Sequence, residues 1–294
     1  MSSVALSAPV SPASQASNNE YNTDIQTASS IGRVPKEIIT EIFKFLSPEE
    51  LAKACRVCKK WNELGCNPSL WSAFDLKKLF PALKILDEKI WQKYADLSAL
   101  GLSVNDTTPS DNRKIIPKLK RLFAFLKIER GAGITLLTMP EGLSKEKLEE
   151  FAQSPKEGNP TRFRANIWHS IDEREHEDIT VDKTYRIAIT NSVLEGSRNL
   201  SAIAQQELVN KIGCEMPKLL EVSTLAILTY ISSPKSSPVR LYSDNPWTYT
   251  RCSEQNDGCN MIVGGFTPTS LAIGNDDYYG FCCDEYGIGV VQKF

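Results

Sequence analysis

The stretch from Val34 to Phe80 constrains the fold most, because it concentrates large apolar residues at helical spacing in short segments. Pro35 stands where a helix would begin, a position at which its missing N–H costs nothing. The apolar residues after it recur at steps of three and four, which predicts one amphipathic helix. These residues are Ile38, Ile39, Ile42, Phe43 and Leu46.

Two further short helices are predicted behind the first. Ser47-Pro48 restarts a helix, with Ser47 as its cap, Glu50 placed to bond back to the cap N–H, and Leu51 on the inner face. A third helix and its end are marked by Val57, Trp61 and Leu64, then Asn67-Pro68 and the apolar pair Leu70-Trp71. Three such helices carry more apolar side chains than they can bury among themselves. The stretch therefore predicts a surface that another protein completes.

The order and spacing of these short motifs resemble the F-box family. The matching elements are Val34-Pro35, Glu37-Ile38, Phe43-x-x-Leu46, Ser47-Pro48-x-x-Leu51, Val57-Cys58-x-x-Trp61 and Pro68-x-Leu70-Trp71. The one departure is Val34, where the family usually has leucine. An ordinary three-helix bundle would also show apolar stripes, but it does not need these motifs at these separations. The resemblance covers about a sixth of the chain.

The resemblance implies that this segment binds the Skp-family adaptor of a cullin-RING ubiquitin ligase, while the rest of the chain presents a protein substrate. Binding energy in such interfaces concentrates in a few large side chains. The sequence does not separate residues that face the adaptor from those that pack the helices together. The predicted partner-binding residues are Pro35, Ile38, Ile42, Phe43, Leu46, Pro48, Leu51, Val57, Cys58, Trp61, Leu70 and Trp71.

Composition excludes several other classes of protein. The chain has 294 residues and a net charge of −2, with no basic tail, so nothing indicates binding to nucleic acid. The longest apolar run, Leu225 to Ile231, is too short to span a membrane. The eight cysteines come without a secretory signal, so we expect free thiols in a reducing cytosol.

Residues 1–32 are rich in serine, alanine and asparagine and contain no lysine or arginine. This composition predicts a disordered tail, because it offers too little apolar surface to offset chain entropy. The tail lacks the basic and apolar regions of a secretory signal. A tail or linker without further function is one interpretation, and an export signal of the type that bacterial injection systems use is the other.

The remainder predicts an α+β protein in which a helical linker (residues 81–104) joins the F-box (33–80) to a mixed α+β domain (110–294) with a β-rich C-terminal end. The linker follows from a helical stripe that contains Leu83, Leu86, Ile90 and Tyr94. A polar loop from Asn105 to Asn112 suggests the domain boundary. The helices predicted in the C-terminal domain are Ile115–Ile128, one capped by Ser144, Asn199–Ile212 and an almost wholly apolar one, Pro217–Ile231. Its predicted strands lie at 134–137, 185–190, 247–250, 261–263 and 288–291.

The C-terminal domain also resembles a domain that is attached to F-box-like segments in chlamydia-like bacteria living in amoebae. The segments that carry this resemblance are Thr184–Ser201, Cys214–Pro217, Arg240–Cys252, Val263–Phe266 and Gly289–Phe294. The resemblance implies a bacterial effector that acts in the cytosol of a eukaryotic host, and it brings no catalytic residues with it.

An enzyme is the alternative to an adaptor. A thiol hydrolase in the C-terminal domain needs a cysteine beside a histidine, and the chain offers Cys252, Cys259, Cys282 and Cys283 with His169 and His176. No local motif marks any of these cysteines as the nucleophile, and their spacing does not match a zinc site. We therefore expect no enzyme, no metal and no cofactor. Tethering to the ligase without ubiquitin transfer remains a third interpretation.

Overall fold

The computed structural model describes residues 34–104, 112–164, 180–256, 258–276 and 284–294. The predicted disordered tail lies outside the described residues, and so does the predicted boundary loop up to residue 111. The chain divides into two compact units, and the division falls after Gly65. The predicted F-box is therefore split, because residues 66–80 belong to the second unit.

The first unit is a small cluster of three helices. They are α1 (Lys36–Phe43), α2 (Pro48–Ala54) and α3 (Lys59–Gly65), as the sequence predicted. The capping box is confirmed as well: Ser47 Oγ accepts the Glu50 N–H at 3.3 Å, and the Glu50 carboxylate accepts the Ser47 N–H at 2.8 Å. These reciprocal bonds fix where α2 begins, directly after the last turn of α1.

The second unit begins with elements that the sequence assigned to the F-box and the linker. Helices α4 (Pro68–Ser72) and α5 (Leu76–Leu79) are followed by strand β1 (Lys84–Leu86) and helix α6 (Glu88–Tyr94). Within the predicted helical linker, residues 81–104, α6 is helical as expected, but residues 84–86 form β1, a strand paired within the second unit. The segment is part of that unit's core and not a separate arm.

The physical reason for this error lies in the spacing of two leucines. Leu83 and Leu86 are three residues apart, which fits a helix, but both are buried in the second unit. Pro81 interrupts any helix that continues from α5. Asp87 caps α6, because its carboxylate accepts the Ile90 N–H at 3.4 Å. The chain between these two residues extends because a strand far along the sequence supplies its hydrogen bonds.

The other elements of the second unit follow in chain order. The helices are α7 (Asn112–Leu126), α8 (Lys145–Gln153), α9 (Ala202–Ile212) and α10 (Leu219–Ile231). The strands are β2 (Ile134–Met139), β3 (Arg162–Phe163), β4 (Tyr185–Thr190), β5 (Tyr249–Asn256), β6 (Cys259–Gly264), β7 (Ser270–Asn275), β8 (Tyr286–Gly287) and β9 (Val291–Lys293).

These strands form two sheets. The first has the order β1-β2-β4-β9, with β1 parallel to β2 and the other neighbours antiparallel. The second has the order β3-β7-β6-β5-β8, in which β5, β6 and β7 form an antiparallel meander. Strands β2, β4, β5 and β6 confirm predictions. The sequence did not predict β7, and the strand predicted at 288–291 is wrong in its bounds, since only residue 291 belongs to β9.

Helix α10 lies between the two sheets and is the centre of the second unit. Every one of its 13 residues is buried, and it contacts β2 of the first sheet and β5, β6 and β7 of the second. Such a helix needs apolar side chains all round, so the prediction of a central buried helix is confirmed. The α+β fold class is confirmed too, with helices first and a strand-rich C-terminal end.

In the part of the chain that the structure describes, no helix is both long and apolar enough to cross a membrane.

Candidate protein-binding surface

Helix α1 is apolar on two of its faces. Ile39 and Phe43 point into the first unit and are only 3% and 2% exposed. Ile38 and Ile42 lie on another face and are 52% and 54% exposed, and Phe45, just beyond the helix end, is 87% exposed. Ile38, Ile42 and Phe45 are spaced by four and three residues, so they follow one line along the helix. We call these three residues the α1 stripe.

The α1 stripe is unusual for a free surface. Single exposed apolar residues are common in soluble proteins, but an aligned group of large ones marks a contact site. Burying one such side chain against a partner is worth about 1.5–3 kcal/mol. Val57, in the connection between α2 and α3, adds another large apolar side chain at 61% exposure. The helices α1 to α3 span residues 36–65, fewer than the roughly 40 that usually suffice for independent stability.

A small aromatic core supports the inner face of α1. The rings of Phe43 and Trp61 meet edge to face, with centroids 5.4 Å apart and planes at 79°. Leu51 and Ala54 of α2 are buried in the same unit. An edge-to-face aromatic pair such as Phe43 and Trp61 contributes about 0.5–1.5 kcal/mol to stability beyond the burial of its apolar area. The core therefore orients α1 so that its stripe faces outward.

The structure sorts the twelve predicted partner-binding residues by exposure. Pro35, Ile38, Ile42, Val57 and Cys58 are exposed, and Leu46 and Trp61 are partly buried. The other five are buried in packing positions of the free chain, and their role in partner binding stays a prediction: Phe43, Pro48, Leu51, Leu70 and Trp71.

Leu70 and Trp71 serve the second unit and not the surface of the first. Trp71 packs edge to face on Phe74, with ring centroids 5.7 Å apart. The Asn112 side-chain amide donates to the Trp71 carbonyl at 3.3 Å and to the Phe74 carbonyl at 3.1 Å. These contacts hold α4 against the beginning of α7. The Leu-Trp motif is thus the hydrophobic start of the C-terminal unit.

Phe45 is the residue of the stripe that sequence reasoning missed. It belongs to the series Ile38, Ile42, Phe45, which was a readable signal. The motif Phe43-x-x-Leu46 drew attention to the inner face instead. A large aromatic at 87% exposure is the strongest candidate for an anchor, because aromatic residues are enriched among the energetically dominant residues of interfaces.

The cap between α1 and α2 provides a testable contribution to this surface. The backbone N–H and the hydroxyl of Ser47 lower the pKa of Glu50, because these hydrogen bonds favour the charged carboxylate. Ser47→Ala is expected to destabilise α2 by about 1 kcal/mol. Faster hydrogen exchange of the α2 amides would show this loss. Ser98→Ala, at an exposed serine of the second unit, is the control, and equal exchange rates in the two variants would contradict a role for the cap.

The alternative site, a thiol centre, has little support in its described residues. Cys252 is fully buried, and burial, together with the charges of Glu254 and Glu221, raises its pKa well above the usual thiol value. A protonated, inaccessible thiol cannot act as a nucleophile. Cys259 is partly exposed. The remaining candidates, Cys282, Cys283, His169 and His176, lie outside the described residues.

Comparison with known proteins locates the similarity in the region of the α1 stripe. Residues 31–77 match the model of the F-box-like family. The chain is 32% identical to F-box only protein 4 of Bos taurus over 83 residues, which is 28% of this chain and 20% of that protein. It is 36% identical to lysine-specific demethylase 2A of Xenopus tropicalis over 90 residues, 30% of this chain and 8% of that protein.

The chain thus carries an F-box-like segment, as its motifs predicted, and spans a fifth or less of the length of these two relatives. No solved structure matches the chain significantly. The resemblance of the C-terminal unit to domains of chlamydia-like bacteria stays a prediction.

Proposed function

We propose that the chain is a substrate-recognition adaptor whose α1 stripe, together with Val57, binds a Skp-family protein of a cullin-RING ubiquitin ligase. One observation carries the proposal: large apolar side chains stand exposed in line on a helix that lies within the F-box-like residues 31–77. An amphipathic helix of this kind binds by laying its apolar face into a groove of the partner. The second unit then holds the protein that is to be modified.

In this role the chain supplies position and no chemistry. Holding a target near the charged ubiquitin carrier turns an encounter between two molecules into a reaction within one assembly. Because effective concentrations of tethered partners reach the millimolar range, modest affinity for the target is sufficient. The buried, protonated Cys252 supports an adaptor over a thiol hydrolase.

We also propose that the chain acts in the cytosol of a eukaryotic host and comes from a bacterium. Skp-family adaptors and cullins are eukaryotic partners. The serine-rich residues 1–32, which contain no lysine or arginine, and the resemblance of the C-terminal unit support the bacterial origin. The composition of residues 1–32 fits an export signal of the type that bacterial injection systems use.

Capture of a purified Skp-family protein by the full chain tests the proposal. Ile42→Asp combined with Phe45→Asp is expected to weaken binding by at least about 100-fold, because both side chains lose apolar contact and place charges in the interface. Both residues are exposed, so the fold of the variant should stay intact. Calorimetry or surface plasmon resonance would give the dissociation constants.

Lys77→Gln with Lys78→Gln is the matched control, because it also lowers the net charge by two, at exposed positions of the second unit. We expect this control to bind the Skp-family protein normally. Wild-type binding by the Asp variant, or no binding of the intact chain at about 100 μM, would refute the proposal. If the chain binds the Skp-family protein, a reconstituted ligase assay with cullin separates ubiquitin transfer to a target from tethering without transfer.

A further inference from the structure

A groove of about 450 Å³ opens on the second unit where helix α7 ends. It is lined by the last residues of α7 and the turn after them, by the end of β4 with the residues that follow, and by α9. This volume falls within the range of about 300–1,000 Å³ that is typical of ligand sites. We call it the α7 groove. It belongs wholly to the second unit and shares no residue with the α1 stripe.

The lining of the α7 groove is mainly apolar, and solvent reaches it. Phe125 is 49% exposed. Five further large apolar residues of the lining are only partly buried: Leu126, Ile128, Val193, Leu194 and Leu208. Among the described lining residues, Glu195 is the only charged one. An apolar side chain that enters the groove would therefore remove both its own surface and that of the lining from water, which favours binding.

A line of basic residues runs along α7 towards the groove. Lys114, Lys118 and Arg121 are spaced by four and three residues, so they lie on one face of the helix. Phe125 follows Arg121 after four more residues and continues the same line. All four side chains are exposed. We call Lys114, Lys118 and Arg121 the basic ridge. The ridge thus leads to Phe125, which is part of the groove.

The charges of the basic ridge are not neutralised within the described part of the chain. Lys114 and Arg121 take part in none of the ion pairs between described residues. The Lys118 ammonium donates to the Lys293 carbonyl at 2.8 Å and lies 5.6 Å from the centre of the Phe294 ring. Neither contact uses a carboxylate, and an ammonium has three N–H donors, so Lys118 keeps its charge and can donate further.

The surroundings of the groove carry an excess of bases as well. Residues 112–133, 190–195 and 202–212 contain α7, α9 and the groove lining, and they hold eight bases and three acids. The acids are Glu129, Glu195 and Glu207, and the bases are Arg113, Lys114, Lys118, Lys120, Arg121, Lys127, Arg130 and Lys211. Glu215, just beyond α9, is paired with Lys293 at 2.8 Å. The positive charge therefore favours an acidic partner.

The buried side of α7 argues against a membrane as this partner. A helix that lies on a bilayer inserts its apolar face into the lipid. The apolar face of α7 instead packs inside the second unit, where Ile115, Ile116 and Leu119 are buried. The apolar surface that remains accessible is the α7 groove, which is concave. A concave surface receives a protruding side chain better than the flat face of a bilayer.

We propose that the basic ridge and the α7 groove together bind a short peptide segment of the target protein that combines an apolar side chain with acidic residues. The apolar side chain enters the groove, and aspartate or glutamate carboxylates accept hydrogen bonds from the ridge. Helix α7 rises about 16 Å from Lys114 to Phe125. An extended peptide covers that distance with about five residues, which sets the spacing between its acids and its apolar anchor.

This proposal deepens the proposed function, since it rests on the second unit holding a protein target. Ion pairs between exposed groups are screened by salt. We therefore expect the affinity for such a peptide to fall as salt rises from about 0.1 M to about 1 M, where the Debye length shortens from about 10 Å to about 3 Å.

Selection of random peptides on the full chain tests the proposal. A displayed library of decapeptides is panned on the wild type, on Lys114→Glu/Arg121→Glu and on Lys156→Glu/Lys235→Glu. The last variant makes the same change of charge at two exposed lysines outside the ridge and the groove, and it is the matched control. We expect aspartate and glutamate to be enriched at least about threefold near an apolar position in the pools from the wild type and the control. The ridge variant should yield no such enrichment.

The peptide recovered most often is then synthesised in three forms: intact, with each acid replaced by its amide, and with the apolar anchor replaced by serine. Fluorescence polarisation on the wild type should show at least about fivefold weaker binding for each altered form. These measurements do not depend on the folding of any variant. A pool without acidic enrichment, equal pools from all three proteins, or undiminished binding of either altered form would overturn the proposal.

A sedimentation assay with vesicles of equal parts phosphatidylcholine and phosphatidylserine tests the membrane directly. Vesicle binding that Lys114→Glu/Arg121→Glu abolishes, together with a pool that lacks acidic enrichment, would assign the basic ridge to an anionic membrane and overturn the peptide site.

Binding of the Skp-family protein is measured on the same samples, and the ridge variant should bind it normally because the α1 stripe is unchanged. Absence of acidic selectivity in the wild type with intact adaptor binding refutes the peptide site alone. Failure of adaptor binding with intact selectivity refutes the proposed ligase function and leaves the ridge and groove standing as a peptide site.

Discussion

Trp91→Ala is expected to remove about 5 kcal/mol of stability from the second unit, enough to unfold a typical domain. Trp91 is fully buried, its ring lies 5.2 Å from that of Phe151, and its Nε1 donates to the Thr138 carbonyl at 2.8 Å. The substitution leaves a large cavity and also deprives the buried Thr138 carbonyl of its donor. The cavity faces Phe151 of α8, and the lost hydrogen bond falls on β2, the strand that pairs with β1.

This variant tests the correction of the domain boundary. Were residues 81–104 a helical arm outside the second unit, removal of Trp91 would leave the sheets intact. The structure instead requires that amides of β2, β4 and α10 lose their protection from hydrogen exchange. Trp247→Ala is the control, because it makes the same change at a side chain that is 38% exposed. Equal losses of stability in both variants would contradict the assignment.

Gly158→Ala is expected to cost about 3 kcal/mol, from a combination of backbone strain and a steric clash. Gly158 has φ +96°, and a Cβ there would lie 2.1 Å from the carbonyl oxygen of Ile231, the last residue of α10. The following residue, Asn159, donates from its backbone N–H to that same oxygen at 3.2 Å and from its side chain to the Tyr230 carbonyl at 3.1 Å. This loop caps the C-terminal end of the central helix.

Gly196→Ala separates the two contributions. Gly196 also has a left-handed backbone, with φ +72°, but a Cβ there would meet nothing within 4 Å. We expect Gly196→Ala to cost only about 1–2 kcal/mol, the conformational part. Urea unfolding of both variants gives the comparison. If Gly158→Ala were no more costly than Gly196→Ala, close approach to α10 would not be what requires glycine at residue 158.

Elements with their own local signal were predictable from the sequence. The Ser47 capping box, the Ser144 cap of α8 and the almost wholly apolar α10 all appear where residue type and spacing placed them. Strand β1 was not predictable in this way, because three residues without a hairpin partner carry no period of their own. Strand β7, Ser270–Asn275, likewise depends on its neighbour β6 more than on its residues.

The candidate surface was predictable as a segment but not as a face. Motif spacing located the α1 region, yet Ile38 and Ile39 are equally apolar and only packing shows which one is exposed. The spacing of apolar residues shows that a residue lies on an apolar stripe. When a helix has two such stripes, the spacing does not show which of them packs into the core. The same ambiguity placed Phe43 among the contact residues and left Phe45 out.

Helix α1 has just over two turns, and the rest of its own chain covers only its inner side. Under the proposed function, the supply of the Skp-family adaptor governs how much of the folded protein exists at any moment. By mass action, a partner present at 100 times its dissociation constant adds about 2.7 kcal/mol to the folded form. Copies made in excess of that partner keep the apolar side chains of the α1 stripe exposed to water. We expect these copies to self-associate or be degraded first. On the proposed function, the abundance of this protein in a cell should follow the supply of its adaptor and not its own rate of synthesis.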